Sequence, residues 1–347
     1  MKSFIFLFCL LSVARASLPL GTVTSSSASC TTGFPSGFAC RTFTVNAPGN
    51  VAITGIYGWR TPSVPIAGTI LLHSGGGGTG LFNNGYVNLY FNTYKFRVAL
   101  IKWDSDWENT GLSVKSIKLG AGRFATLVEK DLYARVHPEG DSLPFCGHGH
   151  SGGSGIFGYY LAHYNGTKTF DKILLSAGPV FGRVDQGCKV PNVGPVNVCP
   201  NGQHGCTQQP GYSGQPQYGG GTNCGVTSGM GLWVGAPCNC ISGGNTSPAQ
   251  NQAWWDMSVV STGASFYYPQ TAVSQWVCIP PPDNNAAEQG QYFASQMFAG
   301  QTAGFKQALV ADCSGAETIW TGTFEGGTGL AKSAAHMASQ CIARHSE

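Results

Sequence analysis

The chain has 347 residues, of which 42% are hydrophobic and only 10% charged, with 50 glycines, 19 prolines and a net charge of +3. That charge falls near zero without Lys2 and Arg15, and no basic stripe or acidic tail stands out, which argues against a nucleic-acid partner. Glycine and proline fall short of the level that signals disorder, and a chain of this length can bury roughly three quarters of its unfolded surface. A loop-rich globular protein with a large core is expected.

Residues 1–16 read as a secretory signal peptide. Lys2 supplies a positive start, residues 4–13 form an apolar run too short to span a bilayer, and Ala14-Arg15-Ala16 is an A-x-A cleavage site. The mature chain is expected to begin near Ser17. No later stretch approaches 18 apolar residues, so the product is expected to be soluble and secreted, with no membrane span. Without Cys9, 12 of the 13 cysteines remain, an even number in an oxidising compartment, which favours disulfides over metal thiolates. Cys30 and Cys40 are one candidate pair. Asn165-Gly166-Thr167 and Asn245-Thr246-Ser247 are glycosylation sequons, compatible with a glycoprotein.

In chain order, residues 43–46 and 51–57 read as strands joined by Pro48-Gly49-Asn50, with proline and glycine placed as a type II turn prefers. Residues 69–73 (TILLH) form a continuous apolar run, the mark of a strand covered on both faces, and Gly75–Gly78 ends it. A helix is expected over 86–94 and a second buried strand over 97–103 (RVALIKW). Phe124, Leu127, Val128, Leu132 and Val136 then recur at helical spacing, with Glu129 and Lys130 on the other face.

Next, Leu143, Phe145 and Cys146 lead into Gly149-His150-Ser151-Gly152-Gly153, followed at once by a helix-like apolar stretch. A serine raised at the tip of a strand-to-helix turn needs a strained backbone, and residues two positions away must lack side chains. The N–H of Gly152 would then open the helix, where it can stabilise an oxyanion. Residues 172–177 (KILLSA) are a strand again. From 181 to 250 the texture changes to glycine, proline, asparagine and glutamine with six cysteines (Cys188, Cys199, Cys206, Cys224, Cys238 and Cys240). This stretch reads as an insertion stapled by its own disulfides and laid over the sheet as a cap. A strand over 275–279, a loop over 280–285, a helix over about 286–299, a strand over 306–311 and a last helix after His336 complete the chain. Apolar strands alternating with helices argue for a mostly parallel sheet flanked by helices.

With GHSGG around Ser151, and His73-Ser74-Gly75-Gly76-Gly77-Gly78 at the end of an earlier strand, the chain resembles the α/β-hydrolase superfamily in its secreted esterase/lipase-like branch. The first segment matches the family's nucleophile elbow. The second is similar to its HGGG oxyanion loop, departing from it in having Ser74 directly after His73. The resemblance implies an α/β-hydrolase fold with Ser151 as nucleophile, and an oxyanion hole formed by Gly152 with Gly75 or Gly76. It also implies the order serine, acid, histidine. His336, ahead of a terminal helix, takes the place of the base. Asp283, in a loop after a strand, takes the place of the acid, with Asp185 and Asp312 as alternatives, and a bridge from Cys313 toward Cys341 would set Asp312 beside His336. Asp171 opens its strand and belongs at the opposite end of the sheet from Ser151. His148 and His150 form an H-x-H that can ligate zinc, but no partner follows at ligand spacing, so neither metal nor cofactor is expected. Trp103, Asp104, Asp106 and Trp107 follow a strand whose carboxyl end faces the same crevice; they read either as substrate contacts or as a solvated loop.

The expected activity is a secreted serine hydrolase that cleaves small-molecule or polymeric carboxylic esters through Ser151, His336 and Asp283 by way of an acyl-enzyme. The rivals are a serine peptidase or amidase on the same fold, and a non-catalytic secreted binding protein that uses the cysteine-rich insertion.

Overall fold

The structure, a computed structural model, describes residues 17–30, 33–111, 116–176, 178, 180, 248–278, 293, 296–297, 306–310, 323–324 and 327–346. Its strands are β1 (Thr22–Ala28), β2 (Ala39–Asn46), β3 (Ile53–Arg60), β4 (Thr69–His73), β5 (Arg97–Trp103), β6 (Phe145–His150), β7 (Lys172–Ser176), β8 (Ala272–Cys278) and β9 (Lys306–Val310). They form one sheet of nine strands in the order β1-β2-β3-β5-β4-β6-β7-β8-β9. Pairing is antiparallel from β1 through β3 to β5 and parallel from β5 to β9. The helices are α1 (Asn84–Asn88), α2 (Ile117–Leu127), α3 (Tyr133–Val136), α4 (Gly152–Tyr164), α5 (Pro248–Met257) and α6 (Gly329–His345). This is the α/β-hydrolase fold.

The parallel strands are apolar on both sides because both sides are covered. Leu71, Ala99, Ile101, Ile173 and Leu175 point into a core shared with α2 and α4. Their neighbours Ile70, Leu72, Val98, Leu100 and Leu174 point the other way, toward α1 and α6. The turn between β2 and β3 forms as expected. Asn50 N donates to Ala47 O at 3.1 Å, and Gly49 takes φ 70°, which its lack of a Cβ permits. The helical spacing over 124–136 belongs to α2, a π turn (Val128–Leu132) and α3 in succession. The helix expected over 86–94 is α1 followed by a second π turn (Leu89–Thr93).

Three features differ from expectation. β1 (TVTSSSA) has almost no apolar content, and it forms because its whole length pairs with β2 and the Arg41 side chain bonds Ser25 and Ser27. The expected Cys30–Cys40 bridge closes this hairpin. Second, Cys341 bridges Cys146 on β6, not Cys313. A separation of 195 residues leaves no local signal for that pair. Third, α6 begins seven residues before His336, at a Thr328 cap whose Oγ1 accepts from Ala331 N at 3.3 Å, so His336 lies inside the helix. The cysteine-rich insertion up to residue 247, Asp185, Asp283, Asp312 and most of the helix expected over 286–299 lie outside the described residues.

Candidate active site

β6 ends at His150 and α4 begins at Gly152, leaving Ser151 alone at the turn with φ 52° and ψ −121°. A non-glycine residue is rarely held there, at a cost of order 1–3 kcal/mol. The flanking glycines are dictated by space. A Cβ on Gly149 would lie 2.3 Å from Gly153 O, and one on Gly153 would lie 2.1 Å from His73 O. Ser151 N donates to Ser176 O at 2.9 Å, and Ser151 O accepts from Ser154 N at 2.8 Å. Gly152 opens α4, so its N–H has no acceptor within the helix.

The loop after β4 lies directly over the serine. A Cβ on Gly75 would stand 2.8 Å from Ser151 Cβ and 3.2 Å from its Oγ, whereas one on Gly76 would meet nothing within 4 Å. Gly75 is thus the glycine in contact with Ser151. The loop is a turn, closed by Gly78 N to Gly75 O at 3.1 Å. His73 anchors it. Trp103 Nε1, which can only donate, bonds His73 Nε2 at 2.9 Å, so the His73 proton sits on Nδ1 and is given to Ser74 O at 2.9 Å. Burial pushes the His73 ring down to about 4, which keeps it neutral. Ser74, the departure from the HGGG pattern, donates its hydroxyl to Gly80 O at 2.6 Å and so ties the far side of the loop.

Trp103 and Trp107 are fully buried. Their main-chain N–H groups bond Gly78 O and Gly77 O at 3.0 Å, so these tryptophans turn inward and buttress the glycines. Arg123, buried in α2, holds the same segment by donating to Trp107 O, Asn109 O and Val51 O at 2.8 Å each. Asp104 accepts from Thr54 Oγ1 at 2.6 Å, and the exposed Asp106 carboxylate packs against Gly77.

The histidines are placed less simply. His148 and His150 are buried on the α6 side of β6. His148 bonds Tyr90 OH through Nδ1 at 2.9 Å and Ser176 Oγ through Nε2 at 2.8 Å, so both its nitrogens are committed to protein partners. Burial pushes His148 well below the usual range and His150 to about 4. His336 is half-buried on α6. Its Nε2 lies 2.8 Å from Ser274 Oγ, its ring lies over Trp276 at 5.6 Å, and Lys172 Nζ donates to the same Ser274 Oγ at 2.6 Å. Ser274 pairs with Leu174, which pairs with His148. His336 therefore meets the sheet three residues below Ser151, about 10 Å along the strands. The structure places His336 on Ser274 and does not bring it to Ser151. Asp171 sits at the opposite end of the sheet, as expected, accepting from Phe145 N at 2.9 Å and facing His345 at 3.4 Å.

No protein-family model matches the sequence, and no curated protein matches it. Solved structures do align with this chain. A brefeldin A esterase, described as a bacterial homologue of human hormone-sensitive lipase, is 14% identical over 92% of this chain and 81% of its own, with a TM-score of 0.49. A lipase in its open form is 11% identical over 94% and 100%, with a TM-score of 0.48. A dienelactone hydrolase from Anabaena variabilis is 12% identical over 94% and 99%, with a TM-score of 0.42.

Proposed function

We propose that the chain is a secreted serine hydrolase acting on carboxylic esters, with Ser151 as its nucleophile. The observation that carries this reading is the strained Ser151 at the strand-to-helix turn, in contact with Gly75 and followed by the opening N–H of α4. Ser151 Oγ attacks the ester carbonyl, and the amides of Gly152 and of Gly75 or Gly76 receive the oxyanion. Collapse of the tetrahedral intermediate breaks the ester C–O bond and releases the alcohol, which carries away the proton taken from Ser151, and water then hydrolyses the acyl-enzyme to the free acid. A preorganised donor of this kind contributes about 3 kcal/mol in comparable sites. The two disulfides of the described residues support an oxidising compartment, and no helix among those residues is long and apolar enough to cross a membrane.

In this reading His336 takes the serine proton and Asp283 orients it, which requires His336 to leave Ser274 and travel about 10 Å along the strands to Ser151, against the contacts that hold α6. The bond to Ser274 favours a second reading, a secreted binding protein in which the elbow persists without a base. Labelling by a fluorophosphonate probe separates them. Covalent capture by the wild type, lost in Ser151→Ala and slowed by orders of magnitude in His336→Gln, supports the full assignment. Capture that His336→Gln leaves unchanged removes His336 from the mechanism, and a wild type that is never captured leaves the binding protein.

A further inference from the structure

Two serines outside the GHSGG segment reach into the elbow. Ser154, one turn into α4, is fully buried, and its hydroxyl proton is shared between Gly149 O and Ser176 O, each at 2.9 Å. Ser176, the last residue of β7, is fully buried as well and donates its hydroxyl to Gly149 O at 3.1 Å. One carbonyl, that of the glycine two residues before Ser151, thus accepts from two serine hydroxyls. With the Ser176 proton on Gly149 O, His148 donates to Ser176 Oγ from Nε2 and accepts from the Tyr90 hydroxyl at Nδ1. The Ser176 main-chain oxygen receives the Ser151 N–H at 2.9 Å. Residues 149, 151 and 154 are therefore all bonded to Ser176.

We propose that Ser154 and Ser176 are positioning residues, a hydroxyl clamp on the Gly149 carbonyl that keeps Ser151 at positive φ with its side chain against Gly75. The proposal rests on Ser151 being the nucleophile. A strained conformation persists only where its surroundings over-determine it. The Ser151 amide supplies one bond, and the clamp supplies the others from α4 and from the neighbouring strand β7. Packing alone would be served by alanine at either position, since a buried hydroxyl costs free energy unless it is bonded. Without the clamp the turn relaxes toward ordinary φ and carries Oγ away from Gly75. A misplacement of about 1 Å can cost about 100-fold in rate.

The test is the second-order rate of fluorophosphonate labelling, with thermal midpoints measured alongside. Ser154→Ala and Ser176→Ala are expected to label about 10- to 100-fold more slowly. The double variant should fall well short of the product of the two losses, because both hydroxyls act on one carbonyl. On an ester substrate the loss should fall on kcat and leave KM unchanged. Ser176→Thr and Ser176→Val have the same shape, and only threonine keeps the hydroxyl, so threonine should label about 10-fold faster or more than valine. Equal rates for that pair, or wild-type rates in the alanine variants with only the midpoint lowered, overturn the clamp while Ser151 stands. A wild type that is not labelled at all overturns the nucleophile assignment and the clamp with it.

Discussion

At the residue scale, Ser151 is defined by its crowding. Backbone atoms occupy the space where side chains at 149 and 153 would lie, so Gly153→Ala should cost both folding and labelling. Ser151→Ala is expected to abolish ester hydrolysis and probe labelling with an unchanged far-ultraviolet circular dichroism spectrum. Turnover near the wild-type rate would remove Ser151 from the chemistry. The acid is tested at the same scale. An amide in place of a triad carboxylate keeps its size but favours the wrong histidine tautomer, a loss of about 10⁴ in turnover. Asparagine in place of an aspartate that only caps a helix costs little. Asp283→Asn should therefore fall by thousands while Asp185→Asn and Asp312→Asn stay within about ten-fold. The opposite pattern would move the acid to one of the other two.

Among elements, α6 is the one on which the assignment of the base turns. It is pinned along its length by Tyr86 OH to Ser333 Oγ at 2.7 Å, by Ser274 to His336, by the Cys146–Cys341 bridge and by Arg344 to Pro269 O. Cys146 also lies on β6, the strand that ends at Ser151, so the bridge couples the elbow's strand to the helix that carries His336. Replacing both cysteines by alanine should cost about 2–4 kcal/mol. That cost would appear as a lower urea midpoint, with a steeper slope because the unfolded chain is no longer cross-linked. An unchanged midpoint would show that the core alone holds α6 in place.

The whole molecule carries a set of buried imidazoles. His73 and His150 are pushed down to about 4 and His163 to about 3, chiefly by burial, and His137 and His148 are lowered for the same reason. In the unfolded chain these rings bind protons below about 6.5, whereas in the folded chain they stay neutral until much lower pH. Stability is therefore present above 6.5 and lost as pH falls through the interval down to about 4, at no more than roughly 1.4 kcal/mol per pH unit for each fully buried ring. Glu139, lowered mainly by its hydrogen bond to Arg97, adds a loss in the same direction at lower pH. Urea midpoints measured from pH 7 to pH 4 should fall steadily. A flat profile would mean that these histidines take up protons without disturbing the fold.

Much of this protein was legible in the linear chain because its signals are local. Apolar runs such as TILLH and RVALIKW read as strands covered on both faces, and GHSGG with its trailing helix prescribes the turn, since steric exclusion acts over two or three residues. The HSGGGG segment was legible as a loop, but only packing decided that Gly75 lies against Ser151. What depends on long-range contact was not legible. β1 exists because β2 offers it a full ladder, Cys341 meets Cys146 across 195 residues, and Trp103 and Trp107 turn inward to brace the glycines. His336 is the plainest case: the Thr328 cap starts the helix seven residues before it and sets its ring against Ser274, a contact with no local signal. Sequence order constrains which residues are available, and the register between elements, set by packing over the whole sheet, decides which of them meet.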